Sequence, residues 1–176
     1  MLSSDAETRA VDAFTISWVK LEKQLRRLTS NLIFQHSAFD EGESAHKSAI
    51  RAAILKKKSA NHDRFIGAFY RLATCSVKEL IGNEYTALKR DTNKALQYRN
   101  KILHGQQTGQ SLKRSDLEAS ISSMRRWCEL LAVQAHNRIG YDGFSRSSLR
   151  KNGRAEVSAA VDKALVNGWE EFIRNI

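Results

Sequence analysis

Proline is absent from all 176 residues of the chain, where average usage near 5% would supply about nine. Proline removes a backbone donor and clashes with the preceding turn, so it is costly inside a helix. A chain without any is free to be helical nearly throughout. The apolar residues agree. Phe14, Trp18, Leu21, Leu25, Leu28 and Leu32 step by four, three, four, three and four, the seam of a helix that packs against other helices. No run of residues alternates as a half-buried strand does.

The same periodicity predicts the remaining elements. Ser4 with Glu7 reads as a capping box opening the first helix. Gly42 ends the turn after it, and Ser44 caps a short second helix through Ile50 and Ile54 to Lys58. Asn61 caps a third, carrying Phe65, Phe69, Leu72 and Leu80 and stopped by Gly82. A fourth runs from about Glu84 to His104, with Gly105 as its C-cap and a polar loop over 105–114. Ser115 and Glu118 form a second box, opening a fifth helix with the seam Leu117, Ile121, Met124, Cys128, Leu131 and Ala135, which ends at Gly140. After a loop from Gly140 to Arg154, a last helix carries Val157, Val161, Leu165, Trp169 and Phe172. With no repeat, low-complexity tract or linker, the expectation is one all-α domain over 1–176, an up-and-down bundle of five or six helices.

Composition narrows the function classes. No apolar run approaches the ~20 residues of a membrane span, and the start of the chain lacks the pattern of a signal peptide. Cys75 and Cys128 sit inside apolar helical patterns without metal-ligand spacing, as buried free thiols of a reducing compartment do. A cytoplasmic protein without a membrane partner is expected. The absence of a glycine-rich phosphate loop argues against an NTPase or dinucleotide enzyme. His36, His46, His62 and His136 share no spacing that suggests zinc or a nucleophile pair, so neither metal nor cofactor is expected. The formal charge of +10, from 29 Lys+Arg against 19 Asp+Glu, sets up a field that attracts polyanions, RNA or DNA foremost.

One stretch carries candidate chemistry. Tyr85, Leu88, Thr92 and Ala95 hold the seam of the fourth helix, and its next positions are Arg99 and Ile102. A charge on a seam is costly unless paired, although an arginine at a bundle edge can reach water. His104 follows five residues later, about 140° further round an ideal helix, whereas Asn100 and His104, four apart, share a face. At the last turn the negative end of the helix dipole favours an imidazolium, and a histidine near neutrality can give and take protons. The guanidinium of Arg99 supplies a fixed, forked positive charge suited to phosphate. These are parts for cleaving RNA without a metal.

At Arg99-Asn100-Lys101-Ile102-Leu103-His104-Gly105 the sequence resembles the HEPN superfamily, whose signature is Arg, four to six residues, then His. The likeness extends to the helix layout, including a first helix with Trp18 and Glu22. The resemblance implies a helical bundle that dimerises, so that two motifs meet in one cleft and form a metal-independent endoribonuclease site. Arg99 would stabilise the phosphorane, His104 would act as acid or base, and Asn100 would hold the phosphate or orient His104. Members act as toxins, antiviral defence factors or RNA-processing enzymes, and an antitoxin or activating partner is possible. Alternatives are a non-catalytic HEPN module binding RNA or a nucleotide, and a helical adaptor whose basic surface meets an acidic protein.

A second basic stretch interleaves Tyr141, Phe144, Arg146, Arg150, Lys151 and Arg154, a pattern that can stack bases and follow phosphates. The alternative is a solvated loop with Tyr141 or Phe144 tucked onto the bundle. Lys56-Lys57-Lys58 and Arg125-Arg126 read as solvated helix faces.

Overall fold

The computed structural model describes residues 2–57, 62–104, 112–145 and 147–176, and side chains from Arg9 onward except that of His104. It is all-α, with no strand among the described residues: α1 (Leu2–Phe34), α2 (Ser44–Lys56), α3 (His62–Leu72), α4 (Val77–Ile81), α5 (Tyr85–His104), α6 (Arg114–Ile139), α7 (Ala155–Ala164) and α8 (Trp169–Arg174), with a 3-10 turn, Gly82–Glu84, before α5. This architecture is compatible with an up-and-down helical bundle. No helix among the described residues is long and apolar enough to cross a membrane.

Two of the expected helices are each broken in two. The third stops at Leu72 because Ser76 starts a new helix: its N–H donates to Glu79 Oε2 at 2.6 Å, and its hydroxyl accepts from the Glu79 N–H at 3.1 Å. This reciprocal capping box was present in the sequence but hidden inside an apolar pattern. The last helix breaks at Leu165–Gly168, where Gly168 takes a φ of +94° that an L side chain rarely adopts. The expected caps shift as well. Ser44 and Ser115 lie inside their helices, which start at Ser44 and Arg114, and Glu118 pairs with Arg114 rather than with Ser115. The side chains of Ser4 and Glu7, and residues Asn61, Lys58 and Gly105, lie outside the described residues.

The chain forms two compact units, Met1–Leu21 with Ile81–Leu130, and Glu22–Leu80 with Leu131–Ile176; the divisions fall within α1 and α6 and at the last residue of α4. In the first unit, Phe14, Trp18 and Leu21 of α1, Leu88, Thr92 and Ala95 of α5, and Leu117, Met124 and Trp127 of α6 are all buried. The expected register holds in α1 and over Leu88–Ala95, whereas on α6 Ile121 is only half-buried and Trp127, outside the expected seam, is fully buried. Tyr85 packs against Trp127 with ring centroids 5.6 Å apart. Asp91 accepts a hydrogen bond from the Ser123 hydroxyl at 2.9 Å, fixing α5 against α6. In the second unit, Leu25, Leu28 and Leu32 continue the α1 seam and are fully buried with Phe65, Phe69, Val157 and Val161.

Both cysteines are free and buried. Burial raises the Cys75 thiol, against a smaller opposing effect of Arg138. Burial pushes Cys128 up to about 12, Glu129 adding to it and Lys20 opposing. The thiolate is the reactive form, so both thiols should resist a disulfide reagent at pH 8 in the native protein and react fully in denaturant. Fast native labelling of Cys128 would contradict its place in the first unit's core.

Candidate nucleic-acid interface

The motif occupies the last two turns of α5. Arg99 is half-buried and Asn100 exposed, and Arg99 Nη1 donates to Asn100 Oδ1 at 3.1 Å. Arg99 is in no ion pair among the described residues. His104 is the last residue of the helix, at the end where backbone carbonyls lack intrahelical partners; its side chain lies outside the described residues. Asp91 is the one acid in α5, and it is held by Ser123 and Arg90. The face leading to the motif therefore carries the exposed Arg90, Asn93, Lys94, Gln97 and Asn100 and the half-buried Lys101, cations and amides without a carboxylate. Lys94 is the one of these in contact with an acid from another element, Asp116 at 3.7 Å. Its ammonium also lies 5.5 Å from the centre of the Tyr98 ring.

The second candidate, 140–154, belongs to the other unit and is held as a strap along α1. Gln24 donates to the Asp142 carbonyl at 3.1 Å. Arg27 donates to the carbonyls of Phe144 (2.6 Å) and Ser145 (3.3 Å), and Asn31 to that of Ser148 (2.9 Å). Gln35 donates to the Arg150 carbonyl at 2.9 Å and accepts from the Asn152 N–H at 2.9 Å. Residues 24, 27, 31 and 35 form one helical stripe, and Gln24, Asn31 and Gln35 are buried. Gly143 rests on this stripe with φ +85°, and a Cβ there would come within 2.5 Å of Gln24 Cγ and 3.2 Å of the Gln24 carbonyl. Asp142 closes the turn by accepting from the N–H groups of Phe144 and Ser145, both at 2.8 Å. Burial opposes its ionisation, but those bonds outweigh it and hold its carboxyl below the usual range.

The strap also caps α6. The carbonyls of His136 to Ile139 are the last four of that helix. Arg154 donates to Asn137 (2.7 Å), Arg138 (3.0 Å) and, more distantly, His136; Asn152 donates to Ile139 (2.7 Å). The Gly140 N–H bonds His136 at 3.0 Å, and Gly140 takes the left-handed conformation expected of a C-terminal glycine.

The six residues singled out in this loop thus take different places. Tyr141 is buried, with the Arg27 guanidinium 5.6 Å from the centre of its ring. Lys151 donates to the His36 carbonyl at 2.7 Å. Burial lowers the pKa of its ammonium, against the pull of Asp162, Glu41 and Asp40. Arg154 caps α6. The side chains of Phe144 and Arg150 are exposed, and Arg146 lies outside the described residues. Of the runs read as solvated, Arg126 forms a two-pronged pair with Glu84, at 3.0 and 2.5 Å, and Lys57 reaches the Arg174 carbonyl at 2.5 Å. Among the described residues no group of three His, Cys, Asp or Glu side chains could hold a metal ion.

No family model matches the chain, and neither a curated protein nor a solved structure matches it.

The strap leads to a stability prediction. Gln35→Ala strips partners from the part-buried Arg150 carbonyl and Asn152 N–H and empties the buried space of the Gln35 side chain, at a cost of about 2–3 kcal/mol. That is equivalent to roughly 5–10 °C in Tm for a chain of this size. Gly143→Ala should be comparably harmful through the clash with Gln24. Arg150→Ala, which removes only an exposed side chain, should change Tm by no more than about a degree. Thermal unfolding followed by circular dichroism checks all three.

Proposed function

We propose that the chain is a metal-independent endoribonuclease of the HEPN type, acting as a homodimer on RNA. A toxin–antitoxin, antiviral or stress-response system is the setting that best fits such an activity. The observation that carries the reading is the end of α5. There the Arg99 guanidinium donates to the Asn100 amide oxygen at 3.1 Å, and Asn100 stands one turn before a helix-terminal histidine, on a face whose exposed residues include no carboxylate.

The chemistry follows from these parts. His104 removes the proton of a ribose 2′-OH, and the oxygen attacks the adjacent phosphorus. The 5′-oxygen of the next nucleotide then leaves, taking a proton from an acid, and the product ends in a 2′,3′-cyclic phosphate. Charge building on the equatorial oxygens of the phosphorane is met by Arg99, whose fork is oriented by Asn100. Asn100 Oδ1 is occupied by Arg99, which leaves its Nδ2 to donate to a phosphate oxygen. Arg99 and His104 lie about 140° apart round the helix, so one chain offers a poor site and a two-fold pair a better one.

Purified protein should cleave RNA in excess EDTA. His104→Ala should lower the rate by about 10²–10⁴-fold, and Arg99→Lys, which keeps the charge but loses the fork, should also lower it, both with unchanged helical circular dichroism. A requirement for magnesium, or full activity in His104→Ala, would falsify the mechanism.

The dimer is tested separately. Specific activity should fall on dilution below the dimer dissociation constant, and excess His104→Ala protein should inhibit the wild type through mixed dimers. A monomer verified by sizing that cleaves at the full rate would sink the composite site even if both residues prove essential.

The second reading, an RNA-binding module without chemistry, is favoured by the Arg90–Lys101 face of α5, which needs no histidine to hold phosphates. On that reading Arg90→Glu with Lys101→Glu abolishes RNA binding, and His104→Ala changes nothing.

A further inference from the structure

The second unit contains an arginine-lined cavity that the endoribonuclease reading does not use. Arg64 and Arg71 stand seven residues apart on α3, two turns, and so share a face. Gly67 lies between them, and a Cβ there would meet nothing within 4 Å, so the space between the two arginines is open. Arg174 and Asn175, at the end of α8, line the same cavity, whose volume is about 480 Å³. This is the size range of small-molecule sites.

The guanidinium groups are not loose. Arg71 has its guanidinium carbon over the Phe172 ring, 4.5 Å from its centre, a cation–π contact that restrains the group without using its N–H donors. Arg64 donates to the main-chain oxygen of Ile176 at 3.2 Å. The Arg174 backbone is held by Lys57, whose ammonium bonds its carbonyl at 2.5 Å and brings a fourth positive charge close by. Arg71 and Arg174 enter none of the ion pairs among the described residues. No Asp or Glu side chain lines the cavity; Glu171 lines a smaller neighbouring one with Arg71 and is in no described ion pair with it.

We propose that this cavity binds an oligophosphate, a ligand carrying two or more linked phosphoryl groups. One carboxylate or one orthophosphate satisfies a single guanidinium fork. The two forks of Arg71 and Arg174 at one cavity, with the charges of Arg64 and Lys57 beside them, match a group that carries several negative charges on a short, rigid chain of oxygens. No aromatic ring lines the cavity: Phe172, beside it, is buried and covered by Arg71. What is recognised is the phosphate chain. The site stands independently of the proposed cleavage at α5.

Inorganic triphosphate, orthophosphate, citrate and a single-stranded RNA oligomer, titrated by calorimetry at fixed ionic strength, test the assignment. Triphosphate should bind at one site per chain, and at least about tenfold more tightly than orthophosphate or citrate. Arg71→Ala with Arg174→Ala should abolish binding, and Arg71→Lys should weaken it by about tenfold, because an ammonium neither forks nor stacks flat. The control pair Arg9→Ala with Arg125→Ala removes the same charge from the other unit and should bind as the wild type does. Circular dichroism confirms that each variant is folded. Should Arg71→Ala with Arg174→Ala not fold, Arg174→Glu alone should abolish binding. Equal loss in the control pair would make the binding a diffuse charge effect. RNA binding here with no preference for triphosphate over orthophosphate would make the cavity a nucleic-acid backbone contact. Absence of triphosphate binding at millimolar concentration, or citrate binding as tightly, would also overturn the proposal.

Discussion

The second unit depends on a stripe of buried amides on α1. Gln24, Asn31 and Gln35 are polar, buried and bonded to the backbone of residues 142–152. A segment without regular structure has no internal ladder for its peptide groups, and each peptide group it buries must find a partner. Here the partners are side chains of a helix, spaced so that one stripe serves most of the segment. The segment in turn satisfies the last four carbonyls of α6 through Arg154, Asn152 and Gly140. Helix, strap and helix end are thus one polar network, and partial loss of such a network leaves unpaired groups in a low-dielectric interior.

This network explains what could and could not be read from the sequence. The apolar seam of α1 was legible because a leucine at every third or fourth position has one stable use in water, which is burial against another helix. The amide stripe one residue behind that seam was not legible, because glutamine and asparagine on a helix face ordinarily meet solvent. Their burial is decided by a segment more than a hundred residues away. The same holds for Tyr141, Lys151 and Arg154. Aromatic and basic residues interleaved in a loop look alike whether they face a nucleic acid or anchor the loop, and the difference lies in partners that local spacing does not encode. The breaks at Ser76 and Gly168 were missed for another reason. Apolar periodicity can run on across a short interruption, so the local capping signal had to be weighed above it.

At the end of α5 the sequence carried more. The seam register of Leu88, Thr92 and Ala95 held, and it delivers Arg99 to a half-buried edge, where the side chain can pack its stem and still present its charge. The bond between Arg99 and Asn100 was not foreseen from spacing, since adjacent residues on a helix do not share a face. It arises because a long side chain can reach sideways to its neighbour when no carboxylate competes for it.

The basic excess also divides once partners are known. Arg114, Arg126 and Lys94 face Glu118, Glu84 and Asp116, and each such pair is close to neutral at a distance. Arg26, Arg27, Lys57, Lys151 and Arg154 instead bond backbone carbonyls. A carbonyl fixes a cation in place without cancelling its charge. These residues therefore serve the fold and still contribute in full to the long-range field that draws a polyanion toward the protein. A structural use for a cation does not subtract it from that field. What the partners remove is freedom of position: a cation bonded to a carbonyl is fixed where the fold needs it, whereas Arg71 and Arg174 beside the cavity are in no ion pair among the described residues and keep their charge where a ligand could meet it.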